Sequence, residues 1–238
     1  DDYLCIDGKP ISSSALYQGD ATLIDIVKNR DPRLNQSIYV NDNMHPRTNN
    51  KPGGAANDEF KNPIVDQATE DNCSTGFMRY KGTDPNYVKQ FNGMGDQGLI
   101  FFRYAEILLI HAEAKAELGT ITQADLDLTI NKLRARVSMP NLVIGSIVTD
   151  PNWGFPALSP LINEVRRERR IELAVEGFRH DDIWRWAGAD ELIIGKKPLG
   201  AKKAQWTGVP NIDIYKTDAN GYVEPYKNVG AMAAGYKF

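Results

Sequence analysis

The segment Glu168-Arg169-Arg170-Ile171-Glu172-Leu173-Ala174-Val175-Glu176-Gly177-Phe178-Arg179 decides the fold, because it combines a predicted helix with a dense array of opposite charges. Upstream of it, Ser159-Pro160 places a capping hydroxyl before a proline at the first helical position. The sequence therefore predicts a helix from this cap to Gly177. Glutamates recur every four residues along it, at positions 164, 168, 172 and 176, so four carboxylates share one stripe of the helix surface.

Arginines flank the glutamate stripe and favour an ion-pair network. They are Arg166, Arg167, Arg169, Arg170 and Arg179. Glu164 precedes Arg167 by three residues, and Arg169 precedes Glu172 by three, a spacing at which side chains meet on one helix. Exposed pairs of this kind contribute only about 0 to 1 kcal/mol each, so the strength of the network depends on its burial.

A metal site is the less favoured interpretation of the glutamate stripe. A di-iron site in a helical bundle needs Glu-x-x-His pairs on two helices, and the histidines His45, His111 and His180 do not supply them. His111-Ala112-Glu113 has the His-x-Glu spacing of zinc deaminases, but the Pro-Cys-x-x-Cys partner motif is absent. We expect His111 to lie along a packed helix face, and we predict neither a metal ion nor a cofactor.

The sequence shows no catalytic motif. It lacks the Gly-x-Ser-x-Gly elbow of hydrolases, and Gly93-Met94-Gly95 lacks the preceding strand and the third glycine of a dinucleotide-binding loop. The two acids of a glycoside hydrolase can come from distant parts of a chain, but no such pair is distinguished here. We therefore assign no catalytic residues.

A helical hairpin precedes the charged helix. Apolar residues spaced by three and four predict a first helix from Leu99 to Gly119, where glycine suits the position after a helix end. These apolar residues are Phe101, Tyr104, Ala105, Leu108, Leu109, Ala112 and Ala116. A second helix is predicted to start after Thr122, which forms a capping-box pattern with Asp125, and to stop at Pro140.

The second helix has one apolar stripe, formed by Leu126, Ile130, Leu133 and Val137. The alanines of the first helix allow the two helices to approach closely, as in helix pairs of the tetratricopeptide kind. A further short helix is predicted from Asp181 to Ala187, before Gly188.

Turn-forming residues dominate the segments on either side of the helices. In residues 1–98 we expect a short helix ending at Val27, short strands at 37–40 and 75–81, and a surface loop from Asn41 to Pro63. Residues 189–238 have no periodicity, and we expect them to wrap the helices as irregular chain. The sequence thus predicts a loop-rich segment 1–98, a helical core 99–188 and an irregular segment 189–238 within one domain.

Composition excludes two classes of partner. The 238 residues include 28 Lys and Arg against 31 Asp and Glu, a net charge of −3 that lacks the basic excess of nucleic-acid-binding proteins. The longest apolar runs are far shorter than the roughly 20 residues that cross a bilayer. No signal peptide or initiator Met is visible, so we expect the chain to start within a longer protein or after processing. For Cys5 and Cys73 we favour two separate thiols over one bridge.

Aromatic residues outside the helical stripes are the candidate ligand-binding residues. Sugar rings stack their apolar C–H faces on Trp and Tyr, while Arg and amide groups hold the hydroxyls. Tyr39 leads into the Asn-rich loop that contains His45 and Arg47, and Tyr80 lies in another loop-like segment. We predict that these four residues contribute to a glycan site. The alternative for each residue is local packing of its loop onto the helices.

Four ordered blocks of the helical half resemble the SusD/RagB family. They are Phe102-Arg103-Tyr104-Ala105-Glu106-Ile107-Leu108-Leu109 with Ala112-Glu113-Ala114, Ile130-Asn131-Lys132-Leu133-Arg134, the segment Glu168–Arg179 quoted above, and Asp182-Ile183-Trp184-Arg185-Trp186. The segments Cys5–Ile11 and Asn29–Leu34 also resemble the part of that family that precedes the helices. The resemblance covers most of the chain.

The resemblance implies a mainly α-helical fold of tetratricopeptide-like helix pairs in a right-handed superhelical arrangement, with long irregular loops and a few short strands. Family members are surface-exposed outer-membrane lipoproteins that bind glycans or other nutrients without catalysis. They form a lid on a SusC-like TonB-dependent transporter. We therefore expect glycan binding at the outer membrane, with membrane contact only through a lipid anchor outside this chain, which resembles roughly the second half of a member.

Two other function classes remain as alternatives. A tetratricopeptide scaffold that binds protein or peptide segments would be favoured if the loop aromatics were buried and a helical groove were open. A carbohydrate-active enzyme would need a cleft with two carboxylates about 5 to 9.5 Å apart.

Overall fold

A computed structural model describes residues 1–40, 46–48, 57–59, 75–84, 86, 95, 96, 98, 100–206 and 216–224; the side chains of 46–48, 57–59 and Trp206 are not described. The chain divides into two compact units. The first, here called the helical unit, comprises Asp1–Gln18, Val27–Asn35 and Leu99–Leu192. The second, called the loop unit, comprises Gly19–Ile26, Gln36–Gly98 and Ile193–Phe238.

The described elements are mainly helices. They are α1 (Leu23–Val27), α2 (Pro32–Ser37), α3 (Tyr104–Glu117), α4 (Gln123–Leu128), α5 (Ile130–Arg136), α6 (Pro160–Glu172), α7 (Arg179–Arg185) and α8 (Ala189–Leu192). Short 3-10 turns lie at Ile144–Ser146 and Lys203–Trp206. The strands are β1 (Ile38–Tyr39), β2 (Pro46–Thr48), β3 (Asn57–Glu59) and β4 (Met78–Arg79). The predicted class, mainly α-helical with a few short strands, is confirmed.

Helix α3 is shorter at its start than the sequence predicts. The backbone of Arg103 is extended, with φ −137° and ψ 154°, so the helix begins at Tyr104 rather than near Leu99. Phe101 and Tyr104 were predicted in the buried stripe but are exposed, by 76% and 67%. The guanidinium of Arg103 binds Glu172, so this extended residue is held against α6 rather than continuing the helix. The predicted end is confirmed, since Gly119 adopts a φ of +67°.

The second helix of the hairpin is broken. Thr122 accepts a hydrogen bond from the backbone N–H of Asp125, whose side chain accepts one in return, so the predicted capping box is present. The helix then stops at Leu128 and restarts at Ile130, instead of running unbroken toward Pro140. The cause is Thr129, a β-branched residue whose hydroxyl donates to the carbonyl of Asp125 at 2.5 Å.

Helix α6 begins as predicted and ends early. The hydroxyl of Ser159 caps it by accepting from the N–H of Ile162, with a proline at the first helical position. The last helical residue is Glu172, five positions before the predicted end at Gly177. The chain turns between them through Val175 and Gly177, which have φ values of 67° and 94°. The predicted short helix at 181–187 is confirmed as α7, which lies two residues earlier.

The core of the helical unit lies where α3 packs against α5 and α6. It consists of Ala105, Leu108, Leu109, Ala112, Ala116, Leu126, Ile130, Leu133, Leu142, Val165 and Leu173. Val137, the last residue of the predicted stripe, packs instead with Leu4 and Met139. Cys5 is buried and carries a free thiol, as favoured from the sequence, whereas Cys73 lies outside the described residues.

The opposite face of α3 is exposed and apolar. It presents Tyr104, Ile107, Ile110 and Leu118, together with His111, to solvent. The prediction that His111 lies on a packed face is therefore wrong; its imidazole Nε2 lies 3.8 Å from a carboxylate oxygen of Asp125. Among the described residues, no helix is long and apolar enough to cross a membrane.

Short antiparallel pairings form the described parts of the loop unit. Strand β1 pairs with β4, with Tyr39 opposite Met78, which confirms both predicted strands. Strand β2 pairs with β3, with Arg47 opposite Asp58, inside the segment predicted as an irregular surface loop. The remainder of that loop lies outside the described residues. In the C-terminal segment, Lys202 bridges to Tyr222 and Thr217 to Val223, so part of the predicted irregular chain is paired.

Replacing Leu109 by Ala tests the packing of α3. Leu109 is 0% exposed, so the variant should lose about 2 to 5 kcal/mol in free energy of unfolding, measured by chemical denaturation. The matched control is Leu118→Ala near the end of the same helix, where the side chain is 75% exposed and the change should be about 0.5 kcal/mol or less. Equal losses in the two variants would contradict the assigned core face.

Candidate functional site

Helix α6 carries the charged residues that organise the helical unit. Glu168 is buried, and each of its carboxylate oxygens is bound by an arginine. Oε1 accepts from Nη1 of Arg33 at 2.5 Å, and Oε2 accepts from Nε of Arg134 at 2.9 Å. Asp31 completes the cluster by binding Nε and Nη2 of Arg33 at 3.0 and 2.7 Å. Glu168 therefore joins the start of α2 to α5 and α6.

Glu172 extends these ion pairs to the start of α3. Its carboxylate accepts from Nη1 of Arg33 at 3.1 Å, Nη1 of Arg103 at 2.7 Å and Nη2 of Arg136 at 2.9 Å. Arg103 also binds Glu176, through Nε at 2.6 Å and Nη2 at 2.7 Å. Arg103 is thus clamped by two successive carboxylates of the predicted stripe.

Glu164 anchors the other end of the stripe. Its Oε1 accepts from the indole Nε1 of Trp153 at 2.9 Å and lies 3.3 Å from Nη1 of Arg167. Arg167 also donates from Nη2 to Asp150 at 2.5 Å. Burial raises the pKa of Glu164, although Arg167, Trp153 and Arg134 oppose the shift.

The electrostatic balance at Glu168 favours its charged form. Burial alone would raise the pKa of this carboxyl, but Arg134 and Arg33 hold the pKa below its ordinary value. Burial likewise lowers the pKa of Arg33, and Glu168 together with Asp31 raises that pKa above its ordinary value. Each partner therefore keeps the other ionised inside the protein.

The predicted ion-pair network is confirmed, with two corrections. The stripe lies in the interior for Glu164, Glu168 and Glu172, rather than on the surface. Glu164 and Arg167 pair as their spacing predicts, whereas Arg169 donates to Asp182 at 2.8 Å instead of pairing with Glu172. The main partners come from other segments, which spacing along one helix does not reveal. They are Arg33, Arg103, Arg134 and Arg136.

A recess lined by arginines opens beside α6 and α7. It is partly open to solvent. The lining includes Arg166, Arg167, Arg170 and Arg179, with the rings of Phe155 and Trp186. Of the residues that line it, Asp2 is the one acid, and its Oδ2 lies 2.5 Å from Nη1 of Arg170. The recess is therefore a concentration of positive charge in a chain of net charge −3.

Arg166 and Arg179 are the least neutralised of these arginines. Arg166 is 10% exposed and donates from Nη2 to the exposed Glu117 at 3.0 Å. Its Nε and Nη1 are buried and have no hydrogen-bond partner in the described part of the chain. Arg179 forms no ion pair with any described residue. Burial and the like charge of Arg170 lower the pKa of Arg179 to about 10, so Arg179 is charged at neutral pH.

Aromatic rings hold both guanidinium groups in place. Arg166 lies 4.4 Å from the ring centre of Phe155 and 4.7 Å from that of Trp186, and Arg179 lies 5.7 Å from Trp186. Trp186 is itself fixed, because its indole Nε1 donates to Glu113 at 2.6 Å. The Phe155 and Trp186 rings meet edge to face, 5.9 Å apart.

Gly188 allows the close packing behind these rings. A Cβ atom at this position would lie 2.8 Å from Cζ of Phe155, closer than real Cβ contacts. Gly188, which the sequence predicts at the end of the short helix, therefore also leaves room for the ring of Phe155.

The four ligand-binding residues predicted from the sequence belong to the loop unit. Tyr39 is buried, at 4% exposure, in β1, so its ring is not open to stack on a sugar in this arrangement. Tyr80 is half-buried just after β4, and its N–H donates to the carbonyl of Ser37 at 3.0 Å. Arg47 has a described backbone in β2, whereas His45 lies outside the described residues. The structure places Tyr39 and Tyr80 at adjoining paired strands.

A polar cluster around Asp20 in the loop unit was missed by the sequence analysis. The Asp20 carboxylate accepts from Nζ of Lys202 at 2.6 Å and from the hydroxyl of Tyr222 at 2.5 Å. Hydrogen bonds from these two groups lower the pKa of Asp20. No sequence signal links residues about 200 positions apart.

The described residues contain no group of three or more His, Cys, Asp or Glu side chains that could hold a metal ion. The glutamates of α6 are bound by arginines and a tryptophan instead.

Comparison with known families assigns the chain to one of them. The model of the SusD family matches residues 1–228. The chain belongs to the SusD family. The SusD-like protein P38 of Formosa agariphila is 36% identical over 98 residues, which are 41% of this chain and 19% of that protein.

Solved SusD-like structures have the same fold. A SusD-like carbohydrate binding protein of Bacteroides fragilis is 29% identical, with a TM-score of 0.61 over 94% of this chain and 41% of that one. A second SusD-like protein of Bacteroides fragilis is 30% identical, with a TM-score of 0.55 over 80% of this chain and 35% of that one. The tetratricopeptide-like helical class is confirmed, and the chain spans less than half of these relatives' lengths.

Replacing Glu168 by Gln tests the buried ion-pair cluster. The variant leaves Arg33 and Arg134 without their shared counter-charge, so the free energy of unfolding should fall by about 3 to 5 kcal/mol. The control is Glu117→Gln, which removes a half-exposed carboxylate from a single ion pair and should cost about 0 to 1 kcal/mol. Urea denaturation measures both values, and a Glu168→Gln loss no larger than that of the control would contradict the assigned role.

Proposed function

We propose that this chain is part of a non-catalytic protein that binds a glycan at the outer-membrane surface and delivers it to a SusC-like TonB-dependent transporter. The observation that carries the proposal is the likeness, over 94% of the chain, to a solved SusD-like carbohydrate binding protein. In this proposal the membrane is reached only through a lipid anchor outside the chain, and nucleic acid is not a partner.

The state of the buried carboxylates supports binding rather than catalysis. A glycoside hydrolase needs two carboxyl groups that face a cleft, one of which donates a proton. Glu164, Glu168 and Glu172 are the densest group of acids in the helical unit, and all three are buried against arginines. These three carboxylates are already engaged in ion pairs that stabilise the fold.

The glycan contacts belong to the loop unit in this proposal. Tyr80 supplies a half-exposed ring after β4, and Arg47 and His45 supply hydrogen-bonding groups from the segment around β2. Tyr39 contributes through packing instead of stacking on the ligand, because its ring is buried.

Two observations favour a second candidate function, a scaffold that binds a protein or peptide. The ring of Tyr39 is buried, and α3 exposes the apolar side chains of Tyr104, Ile107, Ile110 and Leu118 on one face. Exposed apolar surface of this kind is typical of interaction sites. Glycan binding is preferred because the solved relative that matches most of the chain is a carbohydrate binding protein.

Affinity electrophoresis in gels that contain soluble polysaccharides tests the proposed function. We expect one class of polysaccharide to retard the longest natural form of the protein, without the release of reducing ends. Retardation by no polysaccharide would contradict glycan binding and favour the scaffold. Release of reducing ends would contradict the non-catalytic assignment.

Replacing Tyr80 by Ala tests the proposed contact residue. Loss of one stacking ring should weaken binding of the retarding glycan by several-fold to about tenfold in calorimetry, with the melting temperature nearly unchanged. The control is Tyr104→Ala, which removes an exposed tyrosine from the helical unit and should leave the affinity unchanged. Tyr39→Ala should instead destabilise the protein, because that ring is buried. Unchanged affinity in the Tyr80 variant would remove Tyr80 from the site.

A further inference from the structure

We propose that the arginine-lined recess beside α6 and α7 binds one oxyanion, the carboxylate or sulfate ester of an acidic saccharide. This inference rests on the proposed function, since it assigns a chemical class to the glycan. The subsite that it assigns lies within the helical unit alone.

The lining of the recess holds more positive than negative charge. Four guanidinium groups line it against the single carboxylate of Asp2, which pairs with Arg170. Arg167 is neutralised by Asp150, but Arg179 has no ion pair with a described residue. Arg166 pairs with Glu117, and Asp2 and Asp182 act on Arg179 only from beyond ion-pair distance. Arg179 is therefore the recess arginine without a direct counter-charge among the described residues, which favours an anionic ligand.

Arg166 has buried nitrogens that lack a hydrogen-bond partner among the described residues. Buried donors in folded proteins are nearly always paired, so each exception calls for an explanation. Arg166 is nine-tenths buried, and two of its three nitrogens have no partner in the described part of the chain. A ligand oxygen near this guanidinium supplies the partner that the fold does not provide.

Ring contacts and hydrogen bonds hold the side chains of the recess in place. Arg166 is stacked against Phe155 and Trp186, and Trp186 is fixed by its hydrogen bond to Glu113. Arg185 also binds this glutamate, through Nη2 at 2.7 Å. A guanidinium that is already immobilised loses little conformational entropy when it binds, so the site is preorganised.

The geometry favours an oxyanion over a neutral sugar. The rings of Phe155 and Trp186 contact guanidinium groups, so these rings are engaged and do not present an open stacking platform. A planar guanidinium binds carboxylate or sulfate oxygens through paired N–H groups, which gives strong and directional contacts.

Matched pairs of polysaccharides test the inference. The probes are dextran sulfate against dextran, and polygalacturonate against highly methyl-esterified pectin, each at fixed ionic strength. We expect the protein to bind at least one acidic member about tenfold more tightly than its neutral counterpart. The pair that shows the preference distinguishes a sulfate from a carboxylate ligand.

Variants locate the preference in the recess. Arg179→Gln should abolish most of the acidic preference, whereas Arg179→Lys should retain part of it because the charge remains. The matched control is Lys132→Gln, which removes one positive charge from an exposed position on α5 outside the recess and should retain the preference. A loss in the control equal to that in Arg179→Gln would show general charge attraction and overturn the proposed site.

The outcomes separate this inference from the proposed function. Binding of neutral and acidic members with equal affinity would overturn the inference and leave glycan binding intact. If no polysaccharide binds, the proposal of glycan binding fails. The recess itself is then tested by adding sodium sulfate or sodium glucuronate and measuring the shift in melting temperature. Stabilisation that Arg179→Gln removes would support an anion site, and its absence would overturn that site as well.

Discussion

The helical unit depends on the pairing of one buried carboxylate, Glu168, with Arg33 and Arg134. An unpaired charge in the protein interior is unfavourable by several kcal/mol, so these groups must meet for the unit to fold. Arg33 lies 135 positions before Glu168, and Arg134 lies 34 positions before it. These pairs therefore hold the start of α2, which carries Arg33, against α5 and α6 within the helical unit.

The same pairing shapes the surface available for binding. Glutamates of α6 are directed to partners inside the unit, while Arg166 and Arg170 of the same helix line a recess in which carboxylates are scarce. One helix thus directs its glutamates to partners inside the unit and two of its arginines to the lining of the recess. The carboxylates of Glu164, Glu168 and Glu172 are engaged by arginines in this arrangement.

Local features of the fold were predictable from the sequence, because they depend on neighbouring residues. The cap at Ser159 and the box formed by Thr122 and Asp125 are set by side chains that reach the adjacent backbone. The start of α3 after Arg103 and the break at Thr129 were not predictable from periodicity, since Arg103 binds a carboxylate 69 positions away and the Thr129 hydroxyl binds a backbone carbonyl. Similarly, Tyr39 is buried by tertiary packing, which no local sequence pattern reveals. One signal for the recess was present: the five arginines around α6 outnumber the four glutamates of its stripe.

A crystal structure of the longest natural form with a bound acidic oligosaccharide tests the central claim most directly, namely that the protein holds an intact glycan through the arginines of the recess. We predict an uncleaved saccharide with its carboxylate or sulfate oxygens about 3 Å from the guanidinium groups of Arg166 and Arg179. A saccharide bound elsewhere with the recess empty, or a cleaved product in the crystal, would contradict the account.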